Sequence, residues 1–114
     1  MQPNFDELIE TLSHSGSIKI LYSLSKGTKR QKDLINELGL DKTIVWRRIR
    51  ELFNLGLIEV TFIRDAATGS KAYKLSPLGK KIVKLLEEMQ KEFEDYHYMP
   101  ESDEEFLEGG WDRR

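Results

Sequence analysis

Apolar residues along this chain leave their helical spacing for one stretch only, and that interruption limits what it can fold into. Up to residue 52 they recur at intervals of three and four; after Gly56 the run 58-IEVTFIR-64 alternates and is rich in β-branched and aromatic side chains. The stretch 65-DAATGS-70 has turn composition and 71-KAYKL-75 reads as a returning strand, so residues 58–75 predict one β-hairpin with Arg64 and Lys71 near its tip. Helical spacing then resumes. The class expected is mainly α with a small β-hairpin.

The helices can be placed from their stripes and their ends. Phe5, Leu8, Ile9 and Leu12 predict a helix over 5–13, closed by Ser13, His14, Ser15 and Gly16. Ser17 is expected to cap a second helix carrying Ile18, Ile20, Leu21 and Leu24, which ends at Gly27. In 28-TKRQKDLINELG-39, Leu34, Ile35 and Leu38 form a stripe, Asp33 suits the first turn, Gly39 ends the helix, and Thr28–Arg30 can pair as a short strand. Asp41 caps a fourth helix, about 41–54. Beyond the hairpin, Ser76 as cap and Pro77 at the first helical position open a long helix to about Tyr96. Leu78, Ile82, Leu85, Leu86, Met89, Phe93 and Tyr96 line one face of it. A domain this small leaves part of such a helix uncovered, and a second copy of the chain is the expected cover, with Phe5, Leu8, Leu12, Ile82, Leu85, Met89 and Phe93 at the contact.

At 114 residues the chain is read as one domain, 1–96, followed by an acidic tail, 97–114. Phe106, Leu107 and Trp111 are too sparse there to define an element, and irregular structure is expected. The absence of cysteine excludes disulfides, thiol-based oxidant sensing and cysteine-ligated zinc. With no basic leader followed by an apolar run, and no run approaching the ~18 apolar residues of a membrane helix, a cytoplasmic setting without a membrane partner is expected.

A formal net charge of −2 conceals a segregation of charge. Residues 28–84 hold 13 Lys/Arg against 6 Asp/Glu, a balance of +7, whereas 85–114 hold 3 against 11, a balance of −8. A basic segment of that length suits a surface that meets phosphate; the alternative is that its lysines only solvate helix faces. The fourth helix, 41-DKTIVWRRIREL-52, sharpens the choice. At 100° per residue Val45, Ile49 and Leu52 share one side, while Thr43, Trp46, Arg47 and Arg50 fall together on nearly the opposite one. Trp46 is therefore read as a surface residue, the alternative being packing on the rim of a neighbouring helix.

The run 34-LINELGLDKTIVWRRIRELFNLGLIEV-60, with 73-YKLSPLGKKI-82, resembles the winged helix-turn-helix transcription regulators of the ArsR and MarR type, especially compact archaeal-like members. The likeness covers about residues 17–84. It rests on the Leu38–Gly39–Leu40 turn, on Val45, Ile49 and Leu52, on the exit Leu55–Gly56–Leu57–Ile58, and on the junction Tyr73, Leu75, Ser76, Pro77, Gly79. In such proteins one helix supports, the next enters the major groove of double-stranded DNA, and the hairpin is a wing on backbone or minor groove. The resemblance implies that Lys42, Thr43, Trp46 and Arg47 face the groove and that Arg50 meets phosphate. The chemistry agrees: arginine donates two parallel bonds to guanine, threonine can bond a base edge or meet a thymine methyl, and lysines and wing arginines neutralise phosphate. Lys29, Arg30 and Lys32, at the start of the supporting helix, add charge where a helix amino terminus already favours an anion.

Metal sensing is not expected, because His14 and His97 are the only histidines and neither has a companion ligand. A small-molecule effector stays open, and no cofactor is implied. No phosphate-binding glycine loop, HExxH or partnered nucleophile is present, so an enzyme is not expected. The first reading is a homodimeric, sequence-specific DNA-binding regulator. The alternative is a winged-helix protein–protein interaction module in a transcription or replication assembly, with Trp46 as its anchor.

Overall fold

In the computed structural model, residues 2–65 and 68–98 are described, residues 64, 65 and 68–70 by backbone alone. The element order is α1 (Phe5–Ser13), α2 (Ser17–Ser25), α3 (Gln31–Leu38), α4 (Lys42–Asn54), β1 (Ile58–Asp65), β2 (Thr68–Leu75) and α5 (Pro77–His97). This is a winged helix-turn-helix: helices with one antiparallel hairpin and a long C-terminal helix, as the change of spacing at Gly56 predicts. The chain divides into two compact units, Met1–Val83 and Lys84–Arg114, with the boundary inside α5. The expected irregular tail falls almost wholly on 99–114, outside the described residues.

The core of the first unit draws on every helix in it. Leu12 of α1, Ile20, Leu21 and Leu24 of α2, Leu34 of α3, and Val45, Ile49 and Leu52 of α4 are buried with Leu57, Ile58, Tyr73, Leu75 and Val83. Each fully buried Leu or Ile contributes about 1.5–3 kcal/mol relative to exposure, so α2 is held by packing more than by its own propensity.

Several helix ends follow the sequence. Asn4 caps α1 through a reciprocal pair with Glu7, and Asp41 caps α4 by accepting from the Thr43 N–H at 2.9 Å. Ser17 does not cap α2. Gly16 takes that place at φ +88°, and the Ser17 hydroxyl, fully buried, instead donates to the Thr11 carbonyl at 2.7 Å. The left-handed turn at Gly16 carries the chain into the helix one residue early, so Ser17 points inward.

The hairpin is longer than its composition implies. Pairing continues to Asp65↔Thr68, leaving Ala66 and Ala67, outside the described residues, to join the strands. Lys71 therefore pairs with Phe62, three pairs back from the end, and only Arg64 of the two basic residues lies next to the tip. The expected short strand before α3 is a single bridge in which Lys29 and Tyr73 exchange backbone hydrogen bonds of 3.0 and 2.8 Å. It ties the hairpin to the α2–α3 connection.

At the junction into α5 the backbone is packed tightly. Ser76 caps the helix by accepting from the Gly79 N–H at 2.9 Å while its own hydroxyl donates to the Gly56 carbonyl at 2.6 Å. A Cβ at Gly79 would stand 2.0 Å from the Leu57 carbonyl oxygen, so only glycine allows this approach.

Two expectations about apolar faces need correction. Leu86 does not share the exposed stripe of α5: it is buried, as is Val83 one turn earlier, whereas Leu78, Leu85, Met89, Phe93 and Tyr96 are exposed and Ile82 is half-buried. Positions 83 and 86 form their own i, i+3 pair, rotated away from 78, 82, 85, 89, 93 and 96. Leu12 was expected at a contact with a second chain, yet it is buried within the protomer; Phe5 and Ile9 are exposed and Leu8 is half-buried.

Candidate nucleic-acid interface

The outward side of α4 carries Lys42, Thr43, Trp46, Arg47 and Arg50, all exposed, while Val45, Ile49 and Leu52 fill the core behind them. The aliphatic stripe fixes the rotation of the helix, and the rotation sets which side chains reach solvent. Among the described residues Lys42 and Arg47 have no ion-pair partner, and their donors face outward. Arg50 lies over the face of Trp46, with Cζ 4.9 Å from the ring centroid. An exposed pair of this kind is worth about 0.5–1 kcal/mol and holds the guanidinium against the helix. Trp46 is 49 % exposed, outside the buried core.

Arg48 separates from its neighbours. It is only 8 % exposed, with Nε donating to the Ser15 carbonyl at 2.9 Å and Nη1 to Glu51 Oε1 at 2.6 Å. His14 Nδ1 lies 3.1 Å from the same carboxylate oxygen and 3.3 Å from Arg48 Nη1. Burial pushes the Glu51 carboxyl upward, but hydrogen bonds from Arg48 and His14, with their charge, outweigh it and hold the group below its ordinary 4.5. The helical spacing 45, 48, 49, 52 already put Arg48 on the buried side.

At the start of α3 the basic residues divide. Lys32 is exposed, Arg30 is half-buried, and the Arg30 N–H donates to Asp33 Oδ2 at 2.9 Å. Lys29 is already engaged within the chain: its ammonium pairs with Glu37 and also donates to the Ser23 hydroxyl at 3.3 Å. Hydrogen bonds from Lys29 and Ser23 hold Glu37 below its ordinary 4.5. Nothing in the local spacing signals this contact, because it closes across the α2–α3 connection.

On the hairpin, the pairing Phe62↔Lys71 and the two-residue step from Phe62 to Arg64 put positions 64 and 71 on one face. At the base of that same face Ile58, Tyr73 and Leu75 are buried; farther out Phe62 and Lys71 are exposed. Among the described residues no group of three or more His, Asp or Glu side chains is arranged to hold a metal, and no helix is long and apolar enough to cross a membrane. His14 serves the Arg48–Glu51 cluster, and His97 Nδ1 lies 2.8 Å from the Phe93 carbonyl within α5.

Known proteins share this architecture. The reduced form of the transcriptional regulator YodB from B. subtilis superposes with a TM-score of 0.69 at 21 % identity, covering 80 % of this chain and 89 % of that one. A regulator of the MarR family from Enterococcus faecalis V583 gives 0.71 at 22 % identity, over 85 % and 92 % of the two chains. At those identities the likeness is one of fold. In sequence, an uncharacterised HTH-type transcriptional regulator of Methanocaldococcus jannaschii is 32 % identical over 65 residues, 57 % of this chain and 68 % of the relative. The profile of the HxlR-like helix-turn-helix proteins matches residues 12–101, most of the chain, which narrows the ArsR and MarR resemblance drawn from the motifs. This chain belongs to the HxlR-like helix-turn-helix family.

Proposed function

We propose that this chain is a homodimeric transcription regulator that reads double-stranded DNA, with α4 in the major groove and the β1–β2 hairpin on backbone or minor groove. The observation that carries this reading is the two-sided build of α4: an aliphatic side that fixes the helix, and an outer side bearing Lys42, Thr43, Trp46, Arg47 and Arg50. Arg47 and Thr43 have the donors and the methyl group that base edges accept, and Arg50, Lys32, Arg30, Arg64 and Lys71 supply positive charge for phosphates.

The dimer is supported by apolar surface that the protomer leaves uncovered. Leu85, Met89 and Phe93 are 58 %, 63 % and 63 % exposed along α5, and Phe5 is 70 % exposed on α1. An exposed apolar stripe such as the one along α5 marks a contact site, and a two-fold contact is self-complementary. Two recognition helices would then take half-sites about one helical turn, ~34 Å, apart.

One observation favours a different reading. Phe53 is as exposed as Trp46, at 49 %, and an aromatic pair along a helix suits an interaction module that docks on another protein. Selection of bound duplexes from a random DNA pool separates the two. Enrichment of a sequence with two-fold symmetry is expected; a pool that stays random after repeated rounds contradicts sequence-specific recognition and favours the interaction module.

A further inference from the structure

Of the three arginines in 46-WRRIR-50, the buried one has no place in the contact surface, yet it joins α4 to a distant part of the chain. We propose that Arg48 is a positioning residue for DNA reading: through the connection between α1 and α2 it fixes the axial placement of α4, and with it the reach of Thr43 and Arg47. The inference rests on the reading of α4 as the recognition helix.

The geometry supports a latch more than a stabilising ion pair. A guanidinium presents its donors in a rigid fork, and here two of them are spent in different directions, Nε on the Ser15 carbonyl and Nη1 on Glu51. Glu51 lies one turn along the same helix, so that bond alone would not locate α4 in the protein. The bond to Ser15 does, because its acceptor is main chain, 33 residues away in sequence. His14 closes the cluster against the same carboxylate. The aliphatic side chains behind α4 resist its withdrawal from the core, but apolar contacts are non-directional and tolerate small shifts along the axis. A directional bond to fixed backbone does not. Base contacts need placement to a fraction of an ångström, so a slip of that size weakens sequence reading while leaving general attraction to phosphate intact.

The test compares Arg48→Ala, Arg48→Lys and the parent on a duplex selected from a random pool and on a scrambled duplex, each over several salt concentrations. Loss of folded protein would lower both affinities equally, so the readout is their ratio. Arg48→Ala is expected to reduce the ratio about tenfold, the order of one lost base contact, with the salt slope of the scrambled duplex unchanged. Arg48→Lys keeps the charge but lacks the fork, and is expected to recover little of the ratio. An unchanged ratio in Arg48→Ala overturns the latch while leaving DNA binding in place. A salt slope lowered by about one unit, or full recovery by lysine, overturns it too, since either marks a phosphate contact. If the parent binds neither duplex, the reading of α4 itself fails and the latch with it.

Discussion

Arg47 and Arg50 are exposed on the outer side of α4 but are engaged differently, since Arg50 is stacked on Trp46 and Arg47 is not. Arg47→Ala should therefore cost about 1–3 kcal/mol on a preferred duplex and relax the choice of base at one position. Arg50→Ala should weaken all duplexes alike and flatten the salt dependence by about one phosphate; titrations at several salt concentrations check both. Equal behaviour of both variants and the parent would remove these residues from the contact. The Glu51 carboxylate offers a test that needs no DNA. Its value in the folded chain lies below the ordinary 4.5, so its contribution to stability is complete above that value and is lost as pH falls through the lower folded value. Thermal unfolding of Glu51→Gln should accordingly fall less steeply than the parent as pH drops from about 5 towards 3, and parallel curves would contradict the assignment. The outward placement of Trp46 was legible in the sequence because the rotation of an amphipathic helix follows from its aliphatic stripe. The engagement of Lys29 by Glu37 was not, since contacts closed across a connection leave no periodic trace.

Junctions set the relation between elements, and the one between β2 and α5 is the most constrained. Helix propensity alone would predict that Gly79→Ala stabilises the first turn of α5 by up to about 1 kcal/mol. Sterics predict the reverse: the added methyl would meet the Leu57 carbonyl at 2.0 Å, and backbone cannot turn away as a side chain can. Overpacking of this kind costs about 1–3 kcal/mol, so the melting temperature should fall by several degrees; a rise would show that the junction relaxes freely. On the hairpin, replacing Arg64 and Lys71 together by Ala should reduce affinity with little change in sequence preference or stability. Unchanged affinity at low salt would mean that the hairpin does not reach DNA. Alternation made both strands legible, but the turn composition of 65-DAATGS-70 hid the continuation of pairing to Asp65↔Thr68. Gly69 and Ser70 have low claims on a strand by themselves and are drawn into it by the register of their partners.

For the whole molecule, the expectation of a partner came from a helix with more apolar surface than one small domain covers. Leu85, Met89 and Phe93 are exposed as that argument requires, while Leu12 and Leu86 are buried, because apolar spacing alone does not say which apolar residues stay uncovered. Replacing Leu85 and Met89 together by charged residues should give a monomer, or an unfolded chain if folding and association are inseparable, and should lower DNA affinity more than loss of one phosphate contact. Sedimentation equilibrium at micromolar concentration reads this directly: the parent should have twice the chain mass of 13.3 kDa, and a parent at the single mass would contradict the dimer. The central claim, that the basic outer side of α4 is a surface for duplex DNA, is tested most directly by titrating the parent with a labelled duplex at a series of salt concentrations. The logarithm of the binding constant should fall linearly with the logarithm of salt, with a slope of about −0.9 for each phosphate engaged. Absence of binding at low salt, or an affinity that salt leaves unchanged, would contradict it.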